Sequence, residues 1–191
     1  MRAETIELGI ADLAVPPGTH LCGFYRGSDE RRNMVVPYVD TGLTAGDRCL
    51  CAVDEMELPA WEAEGSQLDI RSPRDIYLGR GEFAAAEMLG FWETWSSAAL
   101  SGSYTVARVL GEMTWAVQEV IGPANLITYE SELNRFAPRY HQVILCLYDL
   151  EKFGGALLMD VIRTHPKVLM GTTVVENLYH VPPDQLIHHW S

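Results

Sequence analysis

The sequence predicts an α/β fold of three layers, a mainly parallel sheet with helices on both faces. Four near-continuous apolar runs, at residues 18–25, 48–54, 104–112 and 143–149, each close on polar or aromatic residues. Strands buried on both faces read this way. The runs alternate with stretches of helical period, the rhythm of parallel strands joined by right-handed crossovers. The chain has 191 residues, 48% of them apolar and 21% charged, which suits a single domain with a substantial core.

Residues 1–17 form a lead-in ending in Val15-Pro16-Pro17, with a short edge strand over 5–10. The main domain spans 18–183 and a tail covers 184–191. In the first core strand a period of two puts His20, Cys22 and Phe24 on one face and Leu21 with Tyr25 on the other. Ser28 or Asp29 caps a helix to Leu43 that buries Val35, Val36 and Val39, keeps Asp29 and Glu30 at its positive end, and bends at Pro37. The turn Ala45-Gly46-Asp47 opens the second strand, 48–54. A short helix over 59–64 and a weaker strand element around 68–78 follow. The helix 82–100 covers a broad apolar face with Phe83, Met88, Leu89, Trp92, Trp95 and Ala99. The strand 104–110 leaves through Gly111-Glu112-Met113-Thr114-Trp115. A helix over 122–140 leads to 143–149, the most apolar run and the expected centre of the sheet. A helix over 155–164, a Thr-His-Pro turn and a strand-like run over 172–179 complete the domain.

Composition narrows the function. With 14 basic against 26 acidic residues the formal charge is −12, and no Lys/Arg cluster is present to contact phosphates, so direct nucleic-acid binding is not expected. No run approaches the eighteen apolar residues of a membrane span, and the acidic start is unlike a signal peptide. Cys22, Cys49, Cys51 and Cys146 all lie inside apolar runs, which reads as reduced thiols in a cytoplasmic protein.

Open α/β sheets bind ligands at the carboxyl ends of their strands. A nucleotide site there needs a glycine-rich loop with a lysine. The loop after the first strand, Gly23-Phe24-Tyr25-Arg26-Gly27-Ser28-Asp29, lacks the lysine and puts Asp29 and Glu30 where phosphates would lie. Only the terminal carboxylate Asp149 resembles a nucleotidase. A metal is a second option, since His20 with Cys22 and Cys49 with Cys51 each share a strand face. Free cysteine also behaves as a small buried hydrophobe, and that reading is the simpler one for Cys49, Cys51 and Cys146. The third option is a small-molecule pocket of aromatics interspersed with polar groups: Phe24, Tyr25, Trp115, Tyr129, Tyr148 and Tyr179 with Glu112, Glu130, Asn134, Asp149 and His165. Core packing explains the same aromatics equally well. No serine sits in a Gly-x-Ser-x-Gly elbow.

Seven segments in order resemble the MEDS family, a sensory domain of methanogens and methylotrophs found also in actinobacterial signalling proteins. They are Thr19-His20-Leu21-Cys22 with Phe24-Tyr25, Gly42-Leu43 with Gly46-Asp47, Gly111-Glu112-Met113 with Trp115, and Tyr129-Glu130 with Leu133-Asn134. Cys146 with Tyr148-Asp149, Thr164-His165-Pro166, and Asn177 with Tyr179 and Pro182-Pro183 complete the set. The resemblance implies a RecA-like sheet that has lost its phosphate loop, and sensing of small hydrocarbon derivatives; one family setting is the repressor of dichloromethane dehalogenase. Relatives carry kinase-like or DNA-binding modules. Here the sequence stops at Ser191, so a stand-alone sensor is expected to work through a signalling or regulatory protein partner. His180 stands where a second aromatic is common.

The resulting expectation is a ligand-binding sensory domain whose pocket is lined by His20, Cys22, Tyr25, Glu112, Trp115, Tyr129, Glu130, Tyr148, Asp149 and His165. The ligand is a small organic molecule, and the residues name no cofactor. The alternative is an enzyme on the same cleft, with Glu112 or Asp149 as base and His20 or His165 as acid, or with a metal at His20 and Cys22. Leu186, Ile187 and Trp190 in the tail are candidates for holding a homo-oligomer together.

Overall fold

The computed structural model describes residues 5–54, 59, 61, 65–79, 81–118 and 121–186. The helix expected over 59–64 and the tail residues Ile187 and Trp190 fall outside them.

The lead-in is a small hairpin, β1 (Ile6–Glu7) against β2 (Ala14–Val15), that buries Ile6, Leu8, Ile10 and Val15. β3 (Thr19–Tyr25) follows and runs into α1 (Gly27–Ala45). The helix starts two or three residues earlier than its Ser/Asp pair suggests: Arg26 takes the cap position, and the Glu30 carboxylate accepts the Arg26 N–H at 2.7 Å. Ser28 and Asp29 therefore lie within the first turn. α1 ends at Gly46, whose φ of 78° supplies the left-handed cap.

β4 (Arg48–Ala52) pairs with β5 (Leu68–Arg71). The weak strand element expected over 68–78 is only four residues long, because Ser72 accepts the Asp75 N–H at 3.1 Å and Pro73 occupies the first helical position, starting α2 (Pro73–Leu78). α3 (Ala85–Ser101), β6 (Ala107–Glu112), α4 (Trp115–Gln118), α5 (Pro123–Phe136) and β7 (Gln142–Asp149) complete the central crossovers. α6 (Gly155–Thr164) leads to β8 (Lys167–Met170), a strand that the sequence pattern does not predict between the Thr-His-Pro turn and the run over 172–179. Gly171, with φ 59°, then reverses the chain into β9 (Thr173–Glu176), so the run over 172–179 is half strand, half turn. α7 (Pro183–Leu186) closes the described chain.

One sheet of seven strands results, in the order β5-β4-β6-β7-β3-β8-β9, parallel throughout except for β9. Its two faces hold separate cores. One packs Leu21, Leu110, Leu145 and Leu147 beneath α1 and the hairpin; the other packs Val109, Ile144, Cys146 and Tyr148 beneath α3, α5 and α6. Strand alternation decides which side each residue serves.

A charged pair sits inside the α1 layer. Arg108 on β6 reaches Asp47 Oδ2 at 2.7 Å, donates to the Glu7 carbonyl at 2.8 Å, and lies 4.7 Å over the Tyr38 ring. The helix comes close enough only because position 42 is glycine: a Cβ there would stand 2.4 Å from Arg108 Nε. No helix among the described residues is long and apolar enough to cross a membrane.

Candidate functional site

Four elements converge on one buried carboxylate. Glu130 projects from α5 under the sheet, His20 comes from β3, Cys146 from the neighbouring β7, and His165 from the residue that ends α6. None of the four is more than 2% exposed. Glu130 Oε2 lies 3.1 Å from His20 Nε2 and 3.2 Å from His165 Nε2, and Cys146 Sγ lies 3.5 Å from His20 Nε2. The two imidazole centroids are 4.2 Å apart.

The surrounding groups orient this cluster. Asn134, one turn after Glu130 on the same helical face, donates its amide to the Thr164 carbonyl and accepts from His20 Nδ1 at 3.0 Å. His165 Nδ1 donates to the Val161 carbonyl at 2.8 Å. Tyr148 donates to Glu130 Oε1 at 2.7 Å. Each imidazole thus spends its Nδ1–H on a carbonyl oxygen and turns Nε2 toward Glu130.

Electrostatics separate the two histidines. Burial, reinforced by the neighbouring His165, holds His20 below the ordinary histidine value. Burial would lower His165 as well, but Cys22, Cys146 and Glu130 around it outweigh that and raise it well above. Burial alone would raise the Glu130 carboxyl; hydrogen bonding and positive potential from His165 and His20 overcome it and hold the group below the usual carboxylate range.

The ten residues expected to line one pocket divide between the two faces of the sheet. His20, Cys22, Trp115, Tyr129, Glu130, Tyr148 and His165 lie on the α5 face. Cys22 sits beside His165. Tyr129 accepts from Trp92 Nε1 at 2.7 Å, and Trp115 stacks on Tyr77 with centroids 4.4 Å apart. Tyr25, Glu112 and Asp149 lie on the α1 side. There Tyr25 donates to Glu112 at 3.3 Å, and Glu112 is clamped by both ends of the Arg31 fork while accepting the Asp54 N–H at 2.6 Å. Arg31 also donates to the Asp54 carbonyl at 2.8 Å. Asp149 accepts the Glu151 N–H at 2.9 Å, with Lys152 Nζ at 3.9 Å.

Strand order also separates the two cysteine pairs. β6 and β7 stand between β3 and β4, so Cys49 and Cys51 do not meet His20 and Cys22. The partner of the β3 face is Cys146, which faces Cys22 across the β3–β7 ladder. Sequence reasoning assigned Cys146 to plain burial and passed over Arg31. Two signals were available: Cys146 shares a face of β7 with Tyr148, and Glu130 with Asn134 share a helix face. The third partner, His165, depends on a crossover that no local pattern specifies.

On the α5 face a small cavity of about 10 Å³, bordered by Tyr77, Trp92, Val109, Tyr129, Ile144 and Cys146, adjoins the cluster. Outside it an open cleft of about 580 Å³ runs between α2 and α3, with Arg71, Glu87, Met88 and Phe91 on its walls. Tyr77 borders both. Its ring enters where β6 carries no side chain: a Cβ on Gly111 would stand 2.7 Å from the Tyr77 hydroxyl.

Comparison with known proteins bears on both fold and role. The model of the MEDS family, the methanogen/methylotroph, DcmR sensory domain, matches residues 19–166. The transcriptional repressor DcmR of Methylorubrum extorquens is 26% identical over 171 residues, a match that takes in 82% of this chain and 61% of that protein. The chain therefore spans less than two thirds of that relative. The crystal structure of the RadB recombinase superposes with a TM-score of 0.50 at 12% identity, covering 81% of this chain and 74% of RadB. That likeness shows a RecA-like fold.

Proposed function

Because the chain belongs to the MEDS family of sensory domains, we propose that it senses a small hydrocarbon-derived molecule in the cytoplasm and relays the event to a regulatory protein partner. The cavity behind Tyr77 carries the ligand side of this reading. Its wall is aromatic and aliphatic apart from the Cys146 thiol, the lining that favours a weakly polar organic molecule over a nucleotide. At about 10 Å³ it has room for about one water-sized group. A larger ligand must displace Tyr77, the ring that separates the cavity from the outer cleft. Ligand binding is then coupled to the position of α2 and α3, which is how a sealed interior reports to the surface.

Two further features support the reading. The strand ends where a RecA-like protein would hold phosphates are filled by the Arg31–Glu112 pair and the backbone of Asp54. Exposed apolar side chains gather at the β8–β9 edge and the turn after it, where Leu178 is 96% and Tyr179 72% exposed beside Met170 and Val175. A surface of that kind suits a protein partner. The formal charge of −12 makes direct DNA contact by this chain unfavourable.

Melting temperature measured across a panel of short-chain alkyl halides, alcohols and amines tests the ligand. One class is expected to raise it, by about 2.7 kcal/mol of stabilisation at a hundred times the dissociation constant. Ile144→Phe, which fills the cavity, is expected to abolish the response while retaining the circular dichroism of the parent. A melting temperature unmoved by every compound would overturn the reading.

A further inference from the structure

With both imidazoles neutral, the lone pairs at the centre of the α5 face have no hydrogen to share among them; without an ion, only a proton held on His165 fills that gap. His165 Nδ1 lies 2.8 Å from the Val161 carbonyl, which can only accept, so Nδ1 carries the hydrogen and the neutral ring presents a lone pair at Nε2. His20 repeats the arrangement. Its Nδ1 faces Asn134 Oδ1 at 3.0 Å, and that amide is oriented by its own nitrogen, which donates to the carbonyls of Thr164 and Glu130. Both Nε2 atoms then point at Glu130 Oε2, itself a pure acceptor as a carboxylate. Glu130 Oε2 and His165 Nε2 are fully buried and have no hydrogen-bond partner among the described residues. Two nitrogen donors, a carboxylate oxygen and the Cys146 sulfur all lie within 4.8 Å of one another.

From this geometry we infer that His20, Glu130, Cys146 and His165 form a mononuclear, four-coordinate metal site, with zinc the ion its donors suit. Metal–ligand bonds of about 2.0 to 2.3 Å imply tetrahedral edges of roughly 3.3 to 3.8 Å. Three of the six edges measure 3.1, 3.2 and 3.5 Å and the others lie within 4.8 Å, so the ligands close on an ion with shifts of about an ångström or less. Charge balances too: one carboxylate and one thiolate neutralise a divalent ion, leaving no net charge in a region closed to water. The thiol proton leaves when the metal enters. Two imidazoles with a thiolate select a borderline-soft ion over calcium or magnesium. The carbonyl and amide acceptors behind each Nδ1–H are the outer contacts that metal-bound histidines use to fix their rings. With four protein donors the site is closed, and its role is to pin β3, β7, α5 and the end of α6 to one point.

The sealed position means that the metal enters as the chain folds, so the test uses the full chain, untagged, expressed in zinc-supplemented medium and dialysed against metal-free buffer. Elemental analysis is expected to find one zinc per chain. Refolding with cobalt alone is expected to give the intense visible bands of a four-coordinate ion and a near-ultraviolet sulfur-to-cobalt band. Cys146→Ser is expected to lose the sulfur band; Cys22→Ser, whose thiol lies beside His165 but outside the quartet, is expected to keep both the band and the full metal content. Should Cys146→Ser fail to fold, mercurial titration of the parent replaces it: one zinc is expected to appear on a chromophoric chelator as the thiols react. A folded parent chain without stoichiometric metal after both expression and refolding would overturn the site, as would a sulfur band that survives in Cys146→Ser or zinc that stays bound after every thiol has reacted. Metal content is measured with no organic compound present, so this inference and the ligand reading can fail independently.

Discussion

Tyr148 holds Glu130 by one oxygen only: its phenol donates to Oε1 at 2.7 Å, and Oε2 is left facing the two histidines. Tyr148 and Cys146 stand two residues apart on β7, so the strand that contributes the thiol also sets the carboxylate's rotation. The orientation of the cluster is thereby written into the central strand of the sheet.

Replacing Tyr148 with Phe leaves Glu130 Oε1 buried without its donor. A hydrogen bond to a charged group contributes about 2 kcal/mol. We expect Tyr148→Phe to lower the unfolding free energy by that amount, read as a lower urea midpoint at unchanged slope, and unfolding curves followed by tryptophan fluorescence will measure it.

The Arg31–Glu112 pair lies at the carboxyl end of β6, beside the start of α1. Magnesium-ATP is accordingly expected to leave the melting temperature unmoved, and a rise would show that the strand ends still accept nucleotide. Arg31→Met strips Glu112 of its cation and should cost about 2 kcal/mol in chemical denaturation.

Arg108 and Asp47 are each at most 3% exposed at the side chain. Removing one partner of a buried pair leaves an uncompensated charge, a loss of about 3 to 5 kcal/mol. Asp47→Ala is expected to show that loss, while the double variant Asp47→Ala, Arg108→Met recovers a large part of it. A double-mutant cycle in urea is the measurement.

Burial pushes the Cys49 thiol from 9.0 up to about 12, and raises Cys51 in the same direction for the same reason. A thiol pKa raised on folding favours the folded state fully below the unfolded value, and that contribution is lost as pH climbs through the folded one. Stability should therefore fall between pH 9 and 12. Cys49→Ala, Cys51→Ala protein should show a shallower decline. In the native state at neutral pH neither thiol is expected to react with iodoacetamide, whereas both react in guanidinium, as peptide mass mapping will show.

How far these features were legible in the sequence differs with their physical origin. The strand 143–149 announced itself because a strand buried on both faces must be apolar at every position, and α6 was bounded correctly by Gly155 and the Thr-His-Pro turn. β8 was missed because Lys167–Met170 is too short to display a period of its own. Local alternation placed His20 and Cys22 on one face, and helical spacing placed Glu130 beside Asn134.

The sequence by itself thus determined the α/β class, the absence of a phosphate loop, and the face on which each strand residue lies. These follow from periodicity and from residue chemistry, both of which act over a few neighbours. Tertiary structure alone decided the strand order, and with it that Glu112 and Asp149 join Tyr25 on one side of the sheet while Glu130 and His165 join His20 on the other. It also decided that Cys146 rather than Cys49 or Cys51 faces the histidines, since β6 and β7 lie between β3 and β4. Order across a sheet is set by how crossovers pack over distances of more than a hundred residues, and no short window of sequence contains that information.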